Sequence, residues 1–122
     1  MTPKKYTIPA HVKGDSFMNG QGLVFVVTTG VDRTPLDITG YKIKCQFRLG
    51  GKTGKLTIST NETNGIVIYD TNKFSLLADN YVIDWNPATY YYDIEFTATD
   101  GVISTYLEGT FIITQDVTTP NA

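Results

Sequence analysis

The sequence predicts an all-β protein, an antiparallel β-sandwich of seven or eight strands. Three observations carry that reading. Apolar residues recur with a period of two along much of the chain, as expected of half-buried strands whose successive side chains face opposite ways. Clusters of Gly, Asn and Asp separate these segments at short intervals. No stretch sustains the 3.6-residue period of a helix. The 122 residues, 41% apolar and 18% charged, suit one folded domain and are too apolar for a disordered chain. That domain is expected to span residues 1–122. Its core runs from about 15 to 118, with a short N-terminal arm and a frayed C-terminal tail.

The elements follow in order. Tyr6 to Val12 reads as a first strand at a sheet edge, because Pro9 removes a ladder donor. Leu23 to Thr29 is a near-continuous apolar run. It suits either a central strand covered on both faces or one strand of a sandwich core. Thr34 to Gly40 reads as a turn: Pro35 fixes φ, Asp37 bonds its own backbone two residues on, and Gly40 permits positive φ. From Tyr41 to Leu49 the alternation is strict. Tyr41, Ile43, Cys45, Phe47 and Leu49 share one face, and Lys42, Lys44, Gln46 and Arg48 share the other.

After the Gly-rich turn 50–54, Lys55 to Ser59 places Leu56 and Ile58 inward. Asn64-Gly65 introduces Ile66 to Tyr69, and Asp70-Thr71-Asn72 turns into Lys73 to Leu77. Leu77 to Tyr81 suits one helical turn. Tyr91 to Thr99 points Tyr92, Ile94, Phe96 and Ala98 inward. Asp100-Gly101 then predicts a tight two-residue hairpin. In the returning strand, Ile103, Thr105, Leu107, Gly109, Phe111 and Ile113 take the inner parity. Ser104, Tyr106, Glu108, Thr110, Ile112 and Thr114 take the outer one. Gly109 inside so long a strand signals a bulge or the close approach of another backbone. Two early strands, three short ones and a long hairpin match a Greek-key layout and favour a sandwich over a barrel.

Composition excludes several function classes. One cysteine, Cys45, precludes an intramolecular disulfide or a Cys-built zinc site and leaves the compartment open. The longest apolar run, 23–27, falls far short of the about 20 residues that cross a bilayer as a helix. No apolar segment follows Lys4 and Lys5, so synthesis in the cytoplasm without a signal peptide is expected. The net charge of −2 hides an asymmetry: residues 1–60 carry +6 and residues 61–122 carry −8. A basic stretch from Lys42 to Lys55 meeting nucleic acid is one explanation. Pairing of Lys42, Lys44 and Arg48 with Asp93 and Glu95 across neighbouring strands is the other. The second is favoured, because the aromatic residues of that strand face inward and leave no base-stacking platform.

No reactive constellation stands out. His11 lies on an edge strand, and no Gly-x-Ser-x-Gly elbow accompanies Ser16, Ser59, Ser75 or Ser104. Cys45 alternates inward, where a thiol is inert. The aspartates lack calcium-loop spacing, and Asp70-Thr71-Asn72 reads as a turn. No catalytic residue, metal ligand or cofactor is predicted. Trp85 with Tyr90 and Tyr91 could stack on a sugar or anchor a partner, or else cover one end of the sandwich. Tyr106 and Ile112 are unusual choices for the solvent side of the last strand. That strand, with Trp85 and Tyr91 nearby, is the predicted contact to a neighbouring subunit, unless Tyr106 and Ile112 pack beneath the N-terminal segment.

Four stretches carry a resemblance. They are Thr34–Gly40 leading into Tyr41–Arg48, Pro87–Ile94, Asp100-Gly101, and Leu107–Thr114 followed by Asp116–Thr118. Together they resemble small immunoglobulin-like β-sandwich virion proteins of tailed bacteriophages, and are similar to the N-terminal domain of phage baseplate upper proteins. Thr89 departs from the pattern, where Gly is usual, and Asp84-Trp85-Asn86 reshapes the preceding loop. The resemblance implies an immunoglobulin-like sandwich serving as a non-enzymatic virion structural protein, in tail, baseplate or capsid surface. Its partners would be other virion proteins or copies of itself, with neither nucleic acid nor membrane involved. The alternative is a module that binds glycans on a host surface.

Overall fold

The computed structural model describes residues 4–29, 32–51, 53–61, 65–78 and 81–115. Within them the strands are β1 (Lys4–Lys5), β2 (Ile8–Val12), β3 (Leu23–Val26), β4 (Thr28–Thr29), β5 (Thr34–Pro35) and β6 (Lys42–Leu49). The remainder are β7 (Lys55–Asn61), β8 (Ile66–Tyr69), β9 (Lys73–Leu76), β10 (Ala88–Thr97) and β11 (Ile103–Thr114). The expected frayed tail, 118–122, lies outside the described residues.

These strands form an all-β sandwich. The larger sheet runs β1–β11–β10–β6–β7, with β2 continuing β1 along the outer side of β11. The smaller runs β3–β9–β8, and β4 and β5 pair separately. Phe74 of β9 joins the layers, its ring centroid 5.8 Å from Phe96 on β10 and 6.3 Å from Tyr106 on β11. Ile43, Cys45 and Phe47 of β6 are fully buried, as are Ile94 and Phe111 from β10 and β11. Removing each large apolar side chain from water stabilises by about 1.5–3 kcal/mol, which makes this inner layer the main source of stability.

Between the named strands the pairing is antiparallel except at one edge. β1 and β2 run parallel to β11, with Lys4 beside Leu107 and Ile8 beside Phe111. The direction follows from where the chain goes next. The Lys13 N–H donates to the Thr114 carbonyl, and Gly14 and Phe17 donate to Ile83 and Tyr81. Pro9 sits in this edge strand, where a missing N–H is tolerated.

Leu56 of β7, expected inward, is 41% exposed, because an extra residue of β7 shifts its register against β6 between Ile58 and Leu56. Three other local features differ from expectation. First, the hairpin at Asp100-Gly101 has a three-residue loop. Ala98 donates to Val102, Gly101 donates to Ala98, and only Gly101 has positive φ (+89°). A type I turn followed by a left-handed glycine satisfies the strand twist as well as a two-residue turn does. Second, the helical turn lies at Phe17–Gly20, not in the stretch from Leu77 to Tyr81, of which residues 79–80 lie outside the described residues. Leu77 instead adopts φ +53° and is buried.

Third, β11 contains a bulge. Ile94 opposes Leu107 but Glu95 opposes Thr105, so Tyr106 is the extra residue. A bulge places two consecutive side chains on one face and reverses the parity beyond it. Leu107, Phe111 and Ile113 point inward as expected. Ile103, expected inward, is 63% exposed.

The turn before β6 has the expected chemistry. The Thr39 N–H donates to Asp37 Oδ1 at 2.9 Å, and Tyr41 donates to the Ile38 carbonyl at 3.0 Å. Gly40 has φ +82°. The hydrogen bonds to Thr39 hold the Asp37 carboxyl below its ordinary pKa. In β3 the run 23–27 is a sandwich strand, not one covered on both faces. Leu23 and Phe25 turn in, and Val24 and Val26 turn out.

Candidate functional site

The four candidate contact residues divide into two pairs. Trp85 is only 9% exposed, which corrects its candidacy as a contact residue and agrees with the alternative, a cover for one end of the sandwich. Its ring lies 4.9 Å from Phe47, 5.4 Å from Tyr90 and 5.9 Å from Phe111. Tyr90 is buried with it, and its hydroxyl donates to the Asn86 carbonyl at 2.6 Å. The loop before β10 folds Trp85 over the open end of the inner layer, where an indole removes more apolar surface from water than any other side chain.

Tyr106 is likewise corrected. The bulge turns it inward to stack on Phe96, with centroids 4.6 Å apart and planes 14° apart. Burial raises its phenol pKa. The edge expected to be open along β11 is covered by β1 and β2. Ile112 and Tyr91 do face outward from the larger sheet. Ile112 is 41% exposed opposite Thr89, and Tyr91 is half-buried opposite Thr110, which places the two diagonally on neighbouring strands.

The rest of that face is charged. β6 and β10 pair so that Lys44 opposes Glu95, and Lys44 Nζ lies 3.6 Å from the Glu95 carboxylate. Arg48 instead donates to the Gly54 carbonyl and to Gln46 Oε1, both at 3.1 Å. Asp93 opposes Gln46 on one side and Glu108 on the other. Partial burial and the neighbouring Glu95 raise the Asp93 pKa, and Arg48 and Lys44 only partly oppose them. A raised folded-state carboxyl pKa favours the protonated form. The folded state is therefore relatively destabilised as pH rises through the ordinary carboxylate pKa. Asp93→Asn is expected to raise stability at neutral pH by up to about 1 kcal/mol, the range for like charges directly opposite. The gain should vanish below the ordinary carboxylate range, and thermal melts at neutral and acid pH check it.

His11 and Cys45 have structural surroundings. His11 Nε2 lies 2.8 Å from the Asp15 carbonyl, and its ring packs edge-on against Phe17 at 5.6 Å. Cys45 is fully buried, and that burial lifts its thiol pKa well above the ordinary value, with Asp93 adding to the effect. A disulfide reagent should therefore label Cys45 only in the unfolded chain. Rapid labelling under native conditions would contradict this placement. Among the described residues, no group of three His, Cys, Asp or Glu could hold a metal ion. Among them too, no helix is long and apolar enough to cross a membrane.

Two further surface features stand out, of which only the second lies away from the residues considered for a sugar. Beside the rim of Trp85 lies an open depression of about 360 Å³, lined by Leu49, Lys55, Leu56, Asp84, Asn86 and Tyr90. Asp84 is held there by Lys13, whose Nζ is 2.6 Å from its carboxylate. The second feature is the outer face of the smaller sheet. Val24 and Val26 are 47% and 53% exposed, with Val67 on the same face. No family model matches the chain, and it matches no curated protein.

Proposed function

We propose that this chain is a non-enzymatic structural protein of a tailed-bacteriophage virion. It would be an immunoglobulin-like sandwich acting as adaptor or decoration in the tail, baseplate or capsid surface. It is made in the host cytoplasm and works in the virion with other virion proteins or copies of itself. The observation that carries this reading is where the four resembling stretches fall. Apart from Asp116–Thr118, which lie outside the described residues, they are frame residues: the Asp37 turn before β6, the buried face of β10, the hairpin at Gly101, and β11 with Gly109 beneath Tyr6. A protein whose distinguishing residues shape its frame suits a rigid building block. β6 beside β10, and the first strand running parallel beside the last, support the immunoglobulin-like comparison.

Mass spectrometry of purified particles tests the proposal. Stoichiometric recovery of this chain is expected, and its absence from particles overturns the reading. Ile112→Lys should stay folded but enter particles less efficiently, because it places a charge beside Tyr91 on the outward face.

The depression beside Trp85 favours a second reading, a host-surface glycan site, since it sets the small exposed part of the indole beside the polar side chains of Asp84 and Asn86 in an open concavity. Binding on a glycan array that is lost in Asn86→Ala, with an unchanged melting temperature, would favour it. A flat array would reject it.

A further inference from the structure

We propose that β3 is a self-pairing edge, through which two copies of this chain join their smaller sheets into one continuous sheet. The backbone geometry comes first. The Val27 N–H donates to the Asn72 carbonyl, continuing the β3–β9 register in which Phe25 opposes Phe74 and Leu23 opposes Leu76. Hydrogen-bonded pairs alternate along an antiparallel ladder, so Leu23 and Phe25 bond to β9. The N–H and C=O groups of Val24 and Val26 therefore point away from β9. Among the described residues, β3 has no neighbour on that side.

The same two residues expose their side chains on the outer face. A strand laid along this edge would satisfy both sets of backbone groups and cover both valines at once. β8, the other edge of the sheet, offers less. Its open backbone groups belong to Ile66 and Ile68, whose side chains turn inward.

The occupant is a second copy because β3 is complementary to itself. In an antiparallel pair centred on Phe25, Val24 of each copy faces Val26 of the other. Both pairs exchange N–H···O=C bonds under one two-fold axis, which closes the assembly at two. Residues 21–29 carry no charge, so self-pairing opposes no like charges. Edge strands are ordinarily protected by charge, proline or a bulge. The edge at β2 carries Pro9 and a register shift, and β7 carries Lys55 and a register shift. β3 has none of these devices. Tyr6 packs against Phe25 at 6.1 Å from the inner side, closing the layers beneath β3 without pairing with it.

Sedimentation equilibrium of the full chain over a concentration series tests the proposal. The weight-average mass should climb from 13.5 kDa toward twice that value. With Val24→Lys and Val26→Lys together, association should weaken at least tenfold. Val24→Thr with Val26→Thr, which keeps strand propensity, should weaken it less. Far-UV circular dichroism checks that each variant folds. In hydrogen exchange, the Val24 and Val26 amides should slow with concentration, while those of Leu23 and Phe25 stay unchanged.

A wild-type chain that remains monomeric up to about 1 mM overturns the proposal and leaves the edge to a foreign strand. So does a dimer that survives the lysine variants, or one abolished by Val67→Lys alone. The proposal does not depend on a virion role. A chain present in particles but monomeric overturns only self-pairing, and a dimer absent from particles overturns only the virion reading.

Discussion

Replacing Trp85 with alanine is expected to cost the fold about 3–5 kcal/mol, the range for truncating a buried tryptophan or phenylalanine. The indole fills the space between Phe47, Tyr90 and Phe111. Its removal leaves a cavity that β6, β10 and β11 cannot close without breaking their ladders. Against a total stability of about 5–15 kcal/mol, such a loss approaches global unfolding. Urea unfolding followed by far-UV circular dichroism measures it, since the variant lacks the chain's one tryptophan. Trp85→Phe keeps most of the volume and should cost less than half as much. An Ala variant with an unchanged midpoint would show that Trp85 bears no load in the core. Any glycan or partner test that truncates Trp85 is confounded for this reason, and substitutions at Asn86 are the cleaner probes.

How far the fold was legible depended on whether polar residues marked the exposed face. In β6 each outward position is Lys, Gln or Arg, so the buried Ile43, Cys45 and Phe47 stand out by contrast. β10 alternates equally clearly over Tyr92, Ile94 and Phe96. In the run 23–27 every residue is apolar, so the alternation of Leu23 and Phe25 against Val24 and Val26 cannot be seen in composition. The open edge was invisible with it. Which strand is unpaired is decided by long-range topology, not by the strand's own residues.

The last strand failed for a different reason. Period-two counting assumes an unbroken ladder, and a single extra residue at Tyr106 inverts every position before it. Two consequences came from that one bulge: Ile103 emerged and Tyr106 turned inward. Trp85 lies in a loop with no period at all, so its burial reflects how the sandwich end is closed. By contrast, the Asp37 turn and the crowding at Gly109 were legible, because each is a local demand on backbone conformation or space.

Gly109→Ala carries that second demand to a measurable result. The residue opposes Tyr92 on β10, and a Cβ built on it would fall on the Tyr6 carbonyl oxygen and lie 3.2 Å from the Tyr92 ring. That carbonyl also accepts the Tyr92 hydroxyl at 2.6 Å, and the Tyr6 N–H donates to the Glu108 carbonyl at 2.9 Å. The added methyl must therefore displace the chain between β1 and β2. Displacement breaks the Tyr92 bond and leaves a partly buried phenol without its acceptor. Overpacking of this kind costs about 1–3 kcal/mol, and the lost hydrogen bond adds about 1 kcal/mol. The expected destabilisation is thus about 2–4 kcal/mol, concentrated at the N-terminal edge. Hydrogen exchange should show residues 8–12 losing protection before β6 and β10 do. Tyr92→Phe alone should cost about 1 kcal/mol. Combined with Gly109→Ala it should cost less than the two separately, because both act on the Tyr6 carbonyl. Strict additivity, or a Gly109→Ala variant within about 0.5 kcal/mol of wild type, would show that Tyr6 does not cross this strand where the structure puts it.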